Sequence, residues 1–563
     1  MPYDLKSLRA PRLWGVPLKT LVSFLENGYS RKILEYPLIK EAGLDKLRSL
    51  DTDSAPIMTP KFPKGRSMSA ANAKQTLDIF EHQPLPASEQ AGFKFQSVFD
   101  FASAYRNGST TPVRVAEQVI HAISVSNTGK APLRAIINSN EQDIMRQATA
   151  SMKRIAEGKP LSILDGVPVA VKDEVDMVPY ATSVGTRIFG QDHSAPCDAT
   201  VVARLRAAGA LLIGKANMHE IGIGVTGANP HFGVCRNPYE PQHHTGGSSS
   251  GSASAVAAGL CPLAVGADGG GSIRIPAALC GVVGLKSTWS RVSEHGAAPL
   301  CWSVAHIGPM GATVDDVALG YSLMAGPDTN DDVTLEQPNV HLKDYLNKDL
   351  TGLRVGVFTP WFNHADKDVV DRCTQALKIL EEHGATRHEI NIEQLDVQRV
   401  AHMVTISSEM LTAVEKEHKK DASRFALDTR LNLAIAATFN STDYVKAQKV
   451  RGLAIKAFMS ALEDVDVIIT PSSAIPAPEI NTKALPEGES NLSALNEIMR
   501  FANTANFTGL PALTINAGYT DKGLPIGVQL MGRPWDESLL LRMGRVIDQA
   551  TPTQKPKVHY SLY

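Results

Sequence analysis

Near the start of the chain, Leu18, Leu21, Val22 and Leu25 stand at i, i+3, i+4 and i+7, which predicts an amphipathic helical segment within residues 5–50. The pattern then stops. Residues 51–94 carry Pro56, Pro60, Pro63, Pro84 and Pro86 with few apolar pairs, which reads as an extended linker or wrapping arm. Residues 1–95 are therefore read as a helical extension with a linker, and residues 96–563 as the main domain. That domain opens on Thr111-Pro112, a cap residue and a first-turn proline, ahead of an apolar helical period over 113–123. Beyond it, β-rich runs at 167–171, 210–213, 353–358 and 465–469 alternate with helical stretches at 198–208 and 369–383. This alternation predicts an α/β domain built on a largely parallel, buried sheet.

Composition narrows the class. With 43% hydrophobic and 20% charged residues over 563 positions, the chain is of ordinary globular type. Lys and Arg total 56 against 58 Asp and Glu, and a net charge of -2 provides no overall field for holding nucleic acid. The cysteines, Cys197, Cys235, Cys261, Cys280, Cys301 and Cys373, lack C-x-x-C spacing and predict reduced, mostly buried thiols rather than a disulfide framework. No apolar run reaches the ~18 residues that span a bilayer, and residues 1–12 lack the apolar core of a secretory signal. The expectation is an intracellular protein, cytoplasmic or resting on a membrane through its N-terminal amphipathic segment.

The chemistry concentrates between Thr245 and Thr288. Gly246-Gly247-Ser248-Ser249-Ser250-Gly251-Ser252 leads into an Ala/Val-rich helical run at 253–260, followed by Asp268-Gly269-Gly270-Gly271-Ser272-Ile273-Arg274. Glycine-rich backbone lets N–H groups converge on an anion, so Gly269, Gly270 and Gly271 form a candidate oxyanion nest with Ser272 as nucleophile at its rim. A serine hydroxyl needs a positioned base. Lys172, at the end of the apolar run 167–171, is the candidate, because burial disfavours the ammonium form. Asp268 and Arg274 are read as braces for the Ser272 loop. Gly247-Ser248-Ser249-Ser250-Gly251 also fits the G-x-S-x-G elbow, which would make Ser249 the nucleophile, but that motif needs a buried strand before it, and residues 237–244 are polar and broken by proline. His243-His244 and His219-Glu220 lack H-E-x-x-H spacing, so neither a metal nor any other cofactor is expected.

The paired loops, Lys172-Asp173 after an apolar strand, Gly214-Lys215-Ala216-Asn217-Met218 and Gly281-Val282-Val283-Gly284-Leu285-Lys286 together resemble the amidase signature family. The resemblance runs from about Val98 to Val546. It implies a large mixed β-sheet with helices on both faces and a Ser-Ser-Lys triad. In that triad Ser272 forms the acyl-enzyme, Lys172 is the terminal base, and Ser248, after a cis peptide from Gly247, relays the proton. It further implies that amides of Gly269 to Ser272 hold the oxyanion and that Ser249 and Arg274 support the triad by hydrogen bonding. Ser250 departs from the family's usual glycine. Arg9-Ala10-Pro11, Trp14-Gly15, Leu164-Asp165-Gly166, Met218-His219-Glu220 and Met531-Gly532-Arg533-Pro534-Trp535 narrow the resemblance to plant-type fatty acid amide hydrolases. That implies lipophilic amide substrates such as N-acylethanolamines, an acyl channel near Met218, Ile221, Gly222 and Ile223, and a homodimer. The N-terminal helix is expected to meet that channel through Leu18, Leu21, Val22 and Leu25. A glutaminase-type subunit of an amidotransferase complex and an amidase of small or aryl amides are the alternatives.

Overall fold

The computed structural model describes residues 3–8, 10–63, 79–80, 92–190 and 194–563. Arg9, Pro84 and Pro86 lie outside the described residues. Within them the strands are β1 (Leu13–Trp14), β2 (Ile136–Asn138), β3 (Pro168–Lys172), β4 (Leu211–Ala216), β5 (Leu263–Ala267), β6 (Val283–Lys286) and β7 (Ile307–Gly311). They continue with β8 (Arg354–Val357), β9 (Thr386–Glu389), β10 (Val467–Pro471), β11 (Glu489–Ser490), β12 (Ala512–Tyr519) and β13 (Pro525–Gly532). Eleven of them form one sheet, in the order β2-β4-β3-β5-β7-β6-β12-β13-β10-β8-β9.

The sheet is mixed, which corrects the largely parallel sheet expected from the alternating pattern. β3 runs parallel to β4 and β5, and β8 runs parallel to β9 and β10. The strands between these groups, β7, β6, β12 and β13, pair antiparallel. The reason is burial on both sides. The helices Ser250–Ala257 and Arg274–Cys280 cover one face of the central strands, and the helices Val314–Met324, Lys367–Glu382 and Glu537–Ala550 cover the other. Every residue of β3, β4, β5 and β7 is buried, so the apolar run is continuous whichever way the strand points, and alternation carries no directional information.

The main-domain helix begins where the sequence places it, at Pro112, with Thr111 Oγ1 accepting from Arg114 N at 3.3 Å. The N-terminal segment docks in pieces. β1 pairs antiparallel with β11, through Leu13↔Ser490 and Trp14↔Glu489. Helix Gly15–Glu26 buries Leu18, Val22 and Leu25 against Leu427, Leu431 and Ala434 of helix Leu427–Ala436, and Arg430 pairs with Glu26 at 2.6 Å. Helix Leu44–Ser49 inserts Leu44 and Leu47 between helices Leu395–Ala413 and Ser441–Asp464. Beyond it the chain runs extended along the latter, with Ile57 N donating to Gln448 O at 3.0 Å. Among the described residues no helix is long and apolar enough to cross a membrane. All six cysteines are free, and Cys197, unlike the other five, is exposed.

Candidate active site

β3 and β5 are parallel neighbours in register, Val169↔Leu263 through Val171↔Val265, so both C-terminal ends reach the same edge of the sheet. That edge is where open α/β sheets place their ligands. β3 delivers Lys172, its last residue, and β5 delivers the loop from Asp268 to Ser272. Helix Ser250–Ala257 crosses between them and brings Ser248 and Ser249 with its N-terminal turn. It sits so close to β4 and its flank that a Cβ on Gly251 would lie 2.2 Å from Asn217 N and 2.3 Å from Ala135 O, so glycine is required there.

Lys172 Nζ donates to Ser248 Oγ at 2.8 Å and to Ala267 O at 3.1 Å. It also lies 2.7 Å from Glu174 Oε2, with side-chain exposures of 1% and 8% for the two residues. The Gly247–Ser248 peptide is cis. Ser249 N donates to Ser272 O at 3.2 Å, which fastens the second glycine loop to the first. Ser249 Oγ is itself locked, donating to Ala267 O at 3.1 Å and accepting from Ala267 N at 3.2 Å. Together with the absence of a strand across 237–244, this removes the elbow reading of Ser249.

The Ser272 loop is braced by a buried ion pair. Arg274 Nε and Nη2 reach Asp268 at 2.9 and 3.1 Å, and its remaining donors go to Ala502 O at 2.8 Å, Gln529 Oε1 at 2.6 Å and Asn506 Oδ1 at 2.5 Å. Burial alone would raise the Asp268 carboxyl, but Arg274 and the amide of Gly271 hold it well below the usual carboxylate range. Asp268 accepts from Gly271 N at 2.5 Å and from Ile273 N at 3.1 Å. This refines the expected nest: the Gly271 amide points at Asp268 and is not free for an oxyanion. The amides of Gly269, Gly270 and Ser272 have no intramolecular acceptor among the described residues.

His402 has no counterpart in the sequence reading. From helix Leu395–Ala413, its Nε2 lies 2.8 Å from Gly269 O, and burial pushes its pKa down to about 4, so the neutral ring donates to that carbonyl. In a planar trans peptide the C=O and the following N–H point in opposite directions. Fixing Gly269 O toward His402 therefore aims Gly270 N–H the other way. A lone histidine among the helix's apolar positions gives no warning of this, and neither does Glu174, two residues beyond Lys172.

Next to these loops lies an apolar cluster. Met218 and Ile221 pack with Leu300, Cys301, Val304, Met410, Phe425 and Leu433, and the half-buried Ile223 packs against them. A Cβ on Gly222 would lie 3.5 Å from Ser248 Oγ and 3.7 Å from Leu300 Cδ1, and one on Gly269 would lie 2.8 Å from Cys301 Sγ. Met218, Ile221, Gly222 and Ile223 thus border the serine–lysine pair. Leu18, Val22 and Leu25 do not meet them: they face Leu427 and Leu431, while Leu433 of the same helix points into the cluster. The extension backs that helix instead of walling a channel. Its apolar stripe is satisfied by the first layer it meets, a distinction that periodicity does not encode.

Elsewhere His219 Nε2 lies 3.0 Å from Asp428 Oδ2 and His231 Nε2 lies 2.5 Å from Glu220 Oε1. Among the described residues no cluster of His, Cys, Asp and Glu is arranged to hold a metal.

Residues 116–541 match the family model described as Amidase. The chain is 36% identical to a fatty acid amide hydrolase of Arabidopsis thaliana, across all of this chain and 96% of that protein. It is 34% identical to a glutamyl-tRNA(Gln) amidotransferase subunit of Coxiella burnetii, covering 82% of this chain and 99% of that one. Among solved structures, the native peptide amidase from Stenotrophomonas maltophilia superposes with a TM-score of 0.71 at 27% identity, covering 85% of this chain and 100% of the other.

Proposed function

Because the chain belongs to the amidase signature family and is a hydrolase of that class, we propose that it cleaves fatty acid amides such as N-acylethanolamines to the free acid and amine. The observation that carries the substrate class is the apolar cluster around Met218, Ile221 and Met410, which borders Ser248 on one side and Gly269 on the other. An acyl chain gains about 0.8 kcal/mol per methylene moved from water into such surroundings. Full-length similarity to a fatty acid amide hydrolase supports the same reading.

In the proposed mechanism Ser272 Oγ attacks the amide carbonyl. Its hydrogen passes to Ser248 Oγ as the hydrogen of Ser248 passes to Lys172 Nζ. The amides of Gly270 and Ser272 stabilise the oxyanion, with Gly270 oriented through His402. Collapse breaks the C–N bond, and the proton returns along the same path to the leaving nitrogen. Water then attacks the acyl carbon as its hydrogen passes to Ser248 and that of Ser248 to Lys172, and the proton returns through Ser248 to Ser272 Oγ as the ester bond breaks and the acid leaves. No step needs a metal or organic cofactor.

A peripheral membrane contact is a second proposal, supported by Trp14, Val16, Phe24 and Tyr29, which are exposed on or next to the first helices. The alternative, a component of an amidotransferase complex, draws on a relative that leaves 18% of this chain uncovered, whereas the match to the hydrolase extends over the whole chain. The deciding experiment incubates the purified chain alone with N-acylethanolamines of graded length, an aryl amide and glutamine, and identifies the acids released. Turnover that rises with chain length supports the proposal, and glutamine turnover alone replaces it.

A further inference from the structure

The proton relay proposed above runs through Lys172, and its three polar neighbours differ in kind. Ala267 O, at 3.1 Å, and the Glu174 carboxylate, at 2.7 Å, can only accept, whereas the Ser248 hydroxyl, at 2.8 Å, can accept or donate. A neutral amine has two N–H groups and one lone pair. If the two acceptor-only partners draw the N–H groups, the lone pair falls on Ser248, which is the direction the relay needs. An ammonium has a third N–H, which points at Ser248, and the relay is then blocked.

Glu174 is built into this position. It lies in the turn that follows β3, closed by Val175 N donating to Lys172 O at 3.0 Å, and its own carbonyl accepts from Ala298 N at 2.9 Å. The turn curls the carboxylate back over Lys172 Nζ with almost no access to water. Other charged or titratable groups act on the same pocket. Lys215 comes from β4, Asp173 and Asp176 from the turn itself, Glu294 and Cys301 from the segment between β6 and β7, and Glu409 from helix Leu395–Ala413. Of these, Lys215 is matched by Asp173 at 3.8 Å, and Glu409 is occupied by Ser303 and Tyr444. Glu174 is the carboxylate in ion-pair contact with Lys172.

We propose that Glu174 is a positioning residue for the relay: its carboxylate, together with Ala267 O, takes up the N–H groups of the Lys172 amine and so fixes the direction of its lone pair toward Ser248. This inference rests on the Ser-Ser-Lys reading. With the amine held this way its lone pair takes the hydrogen of Ser248, and Ser248 takes that of Ser272 as the bond to the acyl carbon forms.

The test compares kcat and KM for a long-chain N-acylethanolamine between the wild type, Glu174→Gln, which keeps the shape and an accepting oxygen, and Glu174→Leu, which has neither charge nor acceptor. Expected is a kcat lowered at least ~10-fold in Glu174→Leu through loss of orientation, with KM little changed, and a kcat largely restored in Glu174→Gln. Glu174→Asp, whose carboxylate stands one methylene further from Lys172, should fall between the two and serves if the Gln variant does not fold. An equal loss in Glu174→Gln and Glu174→Leu overturns the inference, and so does a wild-type kcat in Glu174→Leu. Lys172→Ala separates the two levels. If kcat there stays near the wild-type value, the Ser-Ser-Lys reading fails; if it is lost there but unchanged in Glu174→Leu, this inference alone fails.

Discussion

The loop that carries Ser272 and the N-terminal helix Gly15–Glu26 are both well packed, but by opposite means. The loop is held by polar bonds among buried groups: Asp268, Arg274, Asn506 and Gln529 saturate one another, and these bonds set its shape. The helix is held by three fully buried apolar side chains in a groove and one largely buried ion pair. Directional bonds fix atoms to within tenths of an ångström and fail abruptly when one partner is lost. Apolar contacts tolerate sliding and fail by degrees. Chemistry needs the first kind of support, and a covering element needs only the second.

Substitutions sharpen this contrast. The largest effect is expected at Ser272→Ala, which removes the proposed attacking atom and little volume: turnover should fall by up to ~10⁶-fold with the melting temperature unchanged. A serine-directed phosphonate followed by peptide mapping checks the position. If Ser272→Ala stays active and Ser249→Ala does not, the contrast is drawn around the wrong loop.

Next in size, Arg274→Met leaves Asp268 charged, buried and unpaired, a change that costs about 3–5 kcal/mol where a buried pair is broken. Activity and melting temperature should fall together. The double variant Asp268→Asn with Arg274→Met should recover part of the melting temperature but not the activity, measured by calorimetry and hydrolysis of one amide.

On the helix side, Leu18→Ser with Leu21→Ser and Leu25→Ser should lower the melting temperature, because the fully buried Leu18 and Leu25 each contribute roughly 1.5–3 kcal/mol and the half-buried Leu21 adds less. Since the helix reaches the apolar cluster only through the far side of Leu427–Ala436, KM for a long-chain N-acylethanolamine should rise only several-fold. An equal change for an aryl amide would show that the helix is a cover with no bearing on chain length.

The smallest effect concerns pH. His402 ordinarily titrates near 6.5 and is pushed down to about 4 by burial, so between these values the unfolded chain binds a proton that the folded one excludes. Its share of stability is complete above 6.5 and is lost as pH falls toward 4. His402→Asn should flatten the fall of melting temperature across that window, and should lower kcat more than it alters KM if the Gly270 amide serves the oxyanion.

Much of this was legible in the residues themselves. The apolar run before Lys172 marks β3, whereas the meeting of Ser248 with Lys172, at the 2.8 Å now seen, was implied only by the resemblance to the amidase signature family. Strand direction was not legible, because burial on both faces erases alternation. The cue lay in the short link between β12 and β13, where Gly523 turns the chain back on itself. His402 and Glu174 were invisible for a different reason. A histidine 133 positions from the carbonyl it holds has no local signature, and an acid beside a lysine in sequence reads as a solvated pair until burial is known.

The anchors of Arg274 have a consequence for synthesis on the ribosome. Ala502, Asn506 and Gln529 follow it by 228, 232 and 255 positions. A growing chain therefore presents Lys172, Ser248 and Ser272 to the cell long before the groups that set the Ser272 loop have been made. Until Gln529 emerges, Ser272 can have Ser248 and Lys172 beside it but lacks the frame of its loop. The shape of the Ser272 loop is thus deferred until those late residues are made, and a fragment released earlier by ribosome stalling is expected to carry Lys172, Ser248 and Ser272 without that frame.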